Sequence, residues 1–257
     1  MITSLTFPRM QCIKTGKVVI CPDCKKEIDV LQLEYGDNKK EIIPACECFF
    51  RRQKEHQETL RLQEKIERME KVFPTWLLGK KFQQCSFDNF IVREGTKQVY
   101  KVTREYAKNF PPKKGSGLLL MGSVGNGKSH LAAAIIREVK NKGYFAIFAN
   151  VPDTLSRIRA TFDQGSEETE SQMLDALRDA DLVILDDLAV EKQTDWKMEI
   201  IYQIIDSRYR AELPIVITTN ANMAQLRKCI GDRTFDRISE MCRFLVNRGT
   251  SYRQDRR

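Results

Sequence analysis

Four short apolar runs mark the second half of the chain, and each ends on glycine or polar residues. "LLLM" at 118–121 runs into "GSVGNGKS", and "FAIFANV" at 145–151 follows a charged stretch. "DLVILDDL" at 181–188 closes on two carboxylates, and "LPIVITTNA" at 213–221 ends in Thr219 and Asn220. Apolar runs of this length, bounded by turn residues, predict buried strands. After the first run, the apolar residues from Leu131 to Ile136 recur at helical spacing, so strand and helix alternate. Alternation of this kind predicts a parallel sheet with right-handed crossovers, covered by helices as a three-layer α/β/α core. Ligands bind such sheets at the carboxyl ends of the strands, where all four polar ends would converge.

The first half carries a different pattern. "CPDC" at 21–24 and "CEC" at 46–48 flank strand-like runs joined by "LEYGDN", which predicts a hairpin. So small a ribbon buries little apolar surface, and tetrahedral ligation of Zn²⁺ by Cys21, Cys24, Cys46 and Cys48 would supply the missing stability. Cys12, just upstream, is an alternative to one of these ligands. "FFRRQKEHQETLRLQEKIERMEKVF" follows without Gly or Pro and predicts an exposed, charged helix, with Leu60, Ile66, Met69 and Phe73 as a thin apolar stripe. His56 falls on it as a surface residue. "PTW" at 74–76 ends the helix, and "NFPPKKGSG" at 109–117 is a second break. The expected organisation is a zinc-binding, zinc-ribbon-like module over 1–50, a charged linker helix over 51–75 and a nucleotide-binding domain over 76–257.

The glycine run changes the picture from fold to chemistry. Gly122-Ser123-Val124-Gly125-Asn126-Gly127-Lys128-Ser129 fits G-x-x-x-x-G-K-[ST] between a predicted strand and a predicted helix, the context that the motif needs. Its glycines let backbone N–H groups close around an anion at a helix N-terminus. Lys128 reaches the outer phosphates, the Ser129 hydroxyl ligates Mg²⁺, and His130 continues the loop into the helix. We expect Lys128 to sit in a solvated ligand site, so that its removal spares the fold. Asp186 stands where a carboxylate holds Mg²⁺ beside such a loop, and Asp187 where one orients or deprotonates the attacking water. Asn220 would position that water.

Composition adds bounds. The 257 residues carry a formal charge of +8 with a pI of about 9.0, which permits nucleic-acid binding without establishing it. No apolar run approaches the ~18 residues that cross a bilayer, and "MITSLTFPRMQC" lacks a signal-peptide core. These point to a cytoplasmic protein without a membrane partner. There the eight cysteines stay reduced, with Cys85, Cys229 and Cys242 as small packing residues.

Taken in order, "GSVGNGKSHLA", "LVILDDLAVEKQTDW", "IVITTNA", "GDRTFDRI" and "SYR" resemble the AAA+ helicase loaders of the bacterial DnaC/DnaI type. The wider group includes phage loaders and the IstB transposition ATPases, and the resemblance covers roughly residues 75 to 253. It implies an AAA+ P-loop ATPase that binds ATP and magnesium. It also implies self-association through the ATP sites, with a front domain that grips the replicative DNA helicase and a core that holds single-stranded DNA. By resemblance, Asn220 is the sensor-1 residue, Arg237 the arginine finger that reaches a neighbouring subunit's ATP, and Arg253 the sensor-2 arginine. Asp187 stands where AAA+ proteins usually carry glutamate, which implies slow, regulated hydrolysis. Two other readings fit the same residues. One is an IstB-type transposition helper that binds duplex DNA and a transposase. The other is a zinc-containing adaptor that uses ATP only as a conformational switch.

Overall fold

The alternation inside each apolar run decides how the larger part of the molecule is layered. The computed structural model describes residues 11–35, 38–74, 78–162, 169–188 and 194–252. Gly36 and Asp37 of the expected hairpin turn, Trp76 of the helix stop and Arg253 lie outside them. The chain forms two compact units, residues 1–65 and 66–257.

In the second unit, five strands form one parallel sheet: β4 (Gly117–Gly122), β5 (Ala146–Asn150), β6 (Leu182–Asp186), β7 (Ile215–Thr219) and β8 (Cys242–Asn247). Their order is β5-β6-β7-β4-β8, with every pairing parallel. The first four coincide with the four apolar runs. The fifth was not expected from the sequence. "CRFLVN" mixes exposed Arg243 with buried Leu245 and Asn247, as an edge strand does, so it shows no continuous apolar run.

Because successive strand residues point to opposite faces, each run feeds two cores. Leu119, Met121, Ile147, Val183, Leu185, Ile215 and Ile217 enter one, together with α5 (Val151–Ala160), α6 (Glu170–Asp179), α7 (Asp195–Arg210), α8 (Met223–Ile230) and α9 (Asp232–Met241). Leu118, Leu120, Ala146, Leu182, Ile184 and Val216 enter the other, with α3 (Lys97–Lys108) and α4 (Lys128–Asn141). A short α2 (Gly79–Gln83) precedes α3. Three α/β/α layers result, with the start of α4 at the carboxyl end of β4.

One buried cation organises the corner where α6 turns into β6. Arg208 on α7 is fully buried, and its guanidinium donates to the carbonyls of Leu177, Arg178, Ala180 and Pro214 at 2.7–3.3 Å. It thereby satisfies the free carbonyls at the C-terminus of α6, where a positive charge also suits the helix dipole. Burial lowers its pKa to about 10, so it stays charged at neutral pH. Arg208→Met keeps the length but leaves those carbonyls unpaired. It is expected to cost about 3 kcal/mol or more, read as a lower urea midpoint at unchanged slope.

In the first unit, β1 (Gln11–Ile20), β2 (Glu27–Tyr35) and β3 (Asn38–Ile42) form an antiparallel sheet in the order β1-β2-β3. Nearly all of β1 is exposed, and few described residues of this unit are buried; Val30, Cys21 and Cys48 are among them. The long helix α1 (Glu47–Val72) begins inside the second cysteine pair rather than after it, so Cys48 lies in its first turn. The expectation of an exposed helix holds for its first part, where Leu60 is 44% exposed. Its last turns are different: Met69 and Val72, with Phe73 just beyond, are buried in the first of the two cores.

Candidate nucleotide and metal sites

The phosphate loop is shaped by three glycines with positive φ. Gly122, Gly125 and Gly127 adopt +146°, +79° and +93°, angles that side chains rarely tolerate. Two are also crowded. A Cβ on Gly122 would lie 2.2 Å from Asn247 O, and one on Gly127 2.7 Å from the Phe90 ring. The loop leaves β4 and enters α4 at Lys128, so its N–H groups face the anion-binding end of a helix.

Lys128 corrects one expectation. It is only 4% exposed, and its ammonium donates to Gly122 O (2.9 Å), Ser123 O (2.8 Å), Asn126 Oδ1 (3.2 Å) and Asn220 Oδ1 (2.7 Å). The lysine is built into the loop rather than solvated beside it, because the polar ends of β4 and β7 close over it. Asn220 is thereby placed within hydrogen-bond reach of the loop lysine.

The two acids sit next to this group. Asp186 is buried, and burial pushes its pKa up to about 6. Hydrogen bonds from Thr218 and Ser129 and the charge of Lys128 oppose that rise, while Asp187 adds to it. Thr218 Oγ1 donates to Asp186 Oδ1 at 2.7 Å and accepts from Asp187 N at 3.0 Å. The Ser129 hydroxyl and the Asp186 carboxylate lie close enough for the serine to lower the pKa of the acid, an all-oxygen pair suited to a hard divalent cation. Asp187 has φ of +58°, a strained setting for a residue with a Cβ, and Asn220 Nδ2 lies 3.5 Å from its carboxylate. Ser123 and Val124 form the exposed tip of the loop.

Other predicted residues fall outside this cluster. His130 turns away, with Nε2 2.9 Å from Ser86 O and its ring edge-on to Phe90. Arg237, on α9, donates from Nε to Asp206 Oδ1 (2.7 Å) and from a terminal nitrogen to Tyr202 Oη (3.3 Å), lying over the rings of Tyr202 and Tyr209. Among the described residues, its hydrogen bonds and ring contacts go to Tyr202, Asp206, Tyr209 and Arg233 and not to its own chain's phosphate loop.

Sequence reasoning missed the residues that support the loop. Phe90 packs on Gly127, stacks with Tyr100 and meets Tyr252 edge-on. Tyr252 N donates to Gly125 O at 2.9 Å, and Arg93 lies 3.9 Å over the Tyr252 ring. Thr218 was visible as a polar residue in an apolar run, but the aromatic residues carried no spacing signal.

In the first unit, the sulfurs of Cys21, Cys24, Cys46 and Cys48 all lie within 4.8 Å of one another. Cys21–Cys48 and Cys24–Cys46 approach to 3.5 and 3.4 Å, near the ~3.8 Å edge that a tetrahedral zinc with ~2.3 Å bonds requires. Backbone N–H groups of Cys24 and Asp23 lower the pKa of Cys21 and favour its thiolate. Lys25 turns the knuckle with φ of +61°. Cys12 is exposed and is not in the group, and neither is exposed His56.

Comparison with known proteins agrees with this geometry. The family model described as IstB-like ATP binding protein matches residues 55–257. Replicative helicase loader DnaC of Escherichia coli (strain K12) is 34% identical over 157 residues, 61% of this chain and 63% of that protein. The chain thus spans less than two thirds of that relative's length. DnaC of Buchnera aphidicola subsp. Baizongia pistaciae (strain Bp) is 30% identical over 175 residues, 68% of this chain and 71% of that protein. A crystal structure of the DnaC helicase loader superposes with a TM-score of 0.60 at 28% identity, covering 66% of this chain and 100% of that one. Replication initiator DnaA bound to AMPPCP and single-stranded DNA gives 0.57 at 25% identity, over 66% of this chain and 50% of that one.

Proposed function

Because the chain belongs to the IstB-like ATP-binding protein family, we propose that it is an ATP-dependent loader that places a replicative DNA helicase on single-stranded DNA. The observation that carries this reading is the joint match of the nucleotide site and of relatives named replicative helicase loader DnaC. Those names favour the loader over a transposition helper. In this reading Gly122 to Ser129 enclose the phosphates, the Lys128 ammonium faces them, and Ser129 with Asp186 would hold Mg²⁺, which when bound would neutralise phosphate charge. Asp187 and Asn220 orient the attacking water. A short Asp in place of Glu keeps hydrolysis slow until DNA or the helicase is engaged. Phe162, 58% exposed and edge-on to Trp196 at 6.1 Å, offers a ring on which a base can stack.

The first unit docks the helicase, with zinc in place of a core. Elemental analysis is expected to find one zinc per chain, kept by Cys12→Ser and lost by Cys21→Ser together with the unit's cooperative unfolding. Protein prepared without chelator that contains no zinc would refute the site.

The function itself is tested by mixing the purified protein with the replicative helicase of its host, ATP and single-stranded DNA. A stable complex and DNA-dependent transfer of the helicase are expected. Binding to duplex DNA and a transposase, with none to the helicase, would overturn the reading.

A further inference from the structure

Beyond the residues that face phosphate, one buried pair of amides ties the loop to the far end of the chain. Asn126 is fully buried in the loop, and Asn247, 2% exposed, is the last residue of β8. Asn126 Nδ2 donates to Asn247 O at 2.9 Å, and Asn247 Nδ2 donates to Asn126 O at 2.9 Å. The remaining oxygens are also used. Asn126 Oδ1 accepts from Lys128 Nζ at 3.2 Å, and Asn247 Oδ1 accepts from Gly249 N at 3.1 Å. A carbonyl of Asn247 also bounds Gly122, where a Cβ would meet it at 2.2 Å. The chain beyond Asn247 then folds back over the loop, where Tyr252 N reaches Gly125 O.

We propose that Asn247 is a positioning residue of the nucleotide site: it acts through Asn126 to hold the phosphate loop and Lys128 in the shape that receives phosphate. The chemistry follows from the pairing. A loop of small residues has many conformations, and binding pays for fixing one of them unless the fold has already done so. The reciprocal amide pair fixes the peptide between Gly125 and Gly127 from outside the loop. It also aims the Asn126 side-chain oxygen at the ammonium. Both amides are out of water, so breaking one strand of the pair leaves the other's donor or acceptor unmet. Asn247 itself does not line the phosphate cradle, which is why no motif marks it.

The test separates this role from a plain structural one. Asn247→Ser keeps a short oxygen able to accept from Gly249 N, two residues on, but cannot reach Asn126. Titration of the full-length variant with ADP is expected to show affinity at least tenfold weaker, with the melting temperature of nucleotide-free protein lowered by only a few degrees. Asn126→Ala removes the other half of the pair and the oxygen at Lys128 but keeps the backbone carbonyl that accepts from Asn247. It therefore weakens binding as well, and adding Asn247→Ser, which removes the remaining half, weakens it further. If Asn247→Ser folds too poorly to titrate, Asn247→Asp keeps the shape and the Gly249 contact while losing the donor, and the same loss is expected. ADP affinity within twofold of the parent protein in the Asn247 variant would overturn the proposal. The inference rests on the phosphate-loop assignment, and Lys128→Ala is the control. If that variant binds ADP normally, the assignment fails, whatever Asn247 does.

Discussion

Lys128→Ala is expected to lower nucleotide affinity by about 10² to 10⁴. Charge-assisted hydrogen bonds are worth ~1.5–3 kcal/mol each, an ammonium in this loop makes about two of them to phosphate, and ~1.4 kcal/mol is tenfold in binding. The structure adds a second effect that the sequence did not suggest. Lys128 is buried and shared among four oxygens of the loop and of Asn220. Alanine leaves those acceptors unmet and takes a neighbouring positive charge from Asp186, one of the groups that hold its pKa down. Nucleotide-free protein should therefore also lose about 1–3 kcal/mol of stability. Calorimetric titration with ADP and a thermal melt without it read the two effects apart. Parent-like affinity would refute the site, and an unchanged melt would show that the buried contacts of Lys128 carry no net stability.

The contrast between what could and could not be read from the chain has a physical pattern. β4, β6 and β7 were legible because strands in the middle of a parallel sheet are covered on both faces and so leave unbroken apolar runs. β5 was legible although it lies at an edge, since helices cover both its faces. β8, at the other edge, alternates and was missed. The phosphate loop and the paired acids were legible because chemistry fixes their spacing along the chain. Asn247, Phe90 and Tyr252 act across the fold, and no local spacing records such a contact. For the same reason the sequence could name Cys21, Cys24, Cys46 and Cys48 but could not decide on Cys12. The mutual approach of four sulfurs is a fact of three dimensions. Helix α1 shows the limit of pattern in the other direction. Its charge density reads as an exposed helix with only a thin apolar stripe, and the end of that stripe, Met69 and Phe73, is buried together with Val72 while Leu60 stays exposed.

Arg237→Ala is expected to keep nucleotide binding and to lose DNA- or helicase-stimulated hydrolysis, by up to the ~10³ to 10⁵ that fingers supplied across an interface are worth. Its setting in the fold makes the test sharp. The side chain is 25% exposed, and its guanidinium is held by Asp206 at 2.7 Å and lies over two tyrosine rings, so it is oriented by its own chain. Asp206 also pairs with Arg210 at 2.8 Å. That carboxylate therefore keeps a partner in the variant, and the fold should lose only about 1–2 kcal/mol. A guanidinium held in this way can do one of two things. It can tie α9 to α7, or it can be presented, pre-oriented, to the phosphates of a neighbouring subunit. Mixing separates them. Arg237→Ala combined with Lys128→Ala creates some interfaces that pair an intact phosphate loop with an intact arginine, so part of the stimulated hydrolysis should return. Recovery is expected to rise and fall with the mixing ratio and to vanish when either variant is alone. If mixed assemblies form, as shown by differently tagged chains that copurify, and hydrolysis stays at the level of the single variants, Arg237 works only within its own chain, as the clamp between α7 and α9.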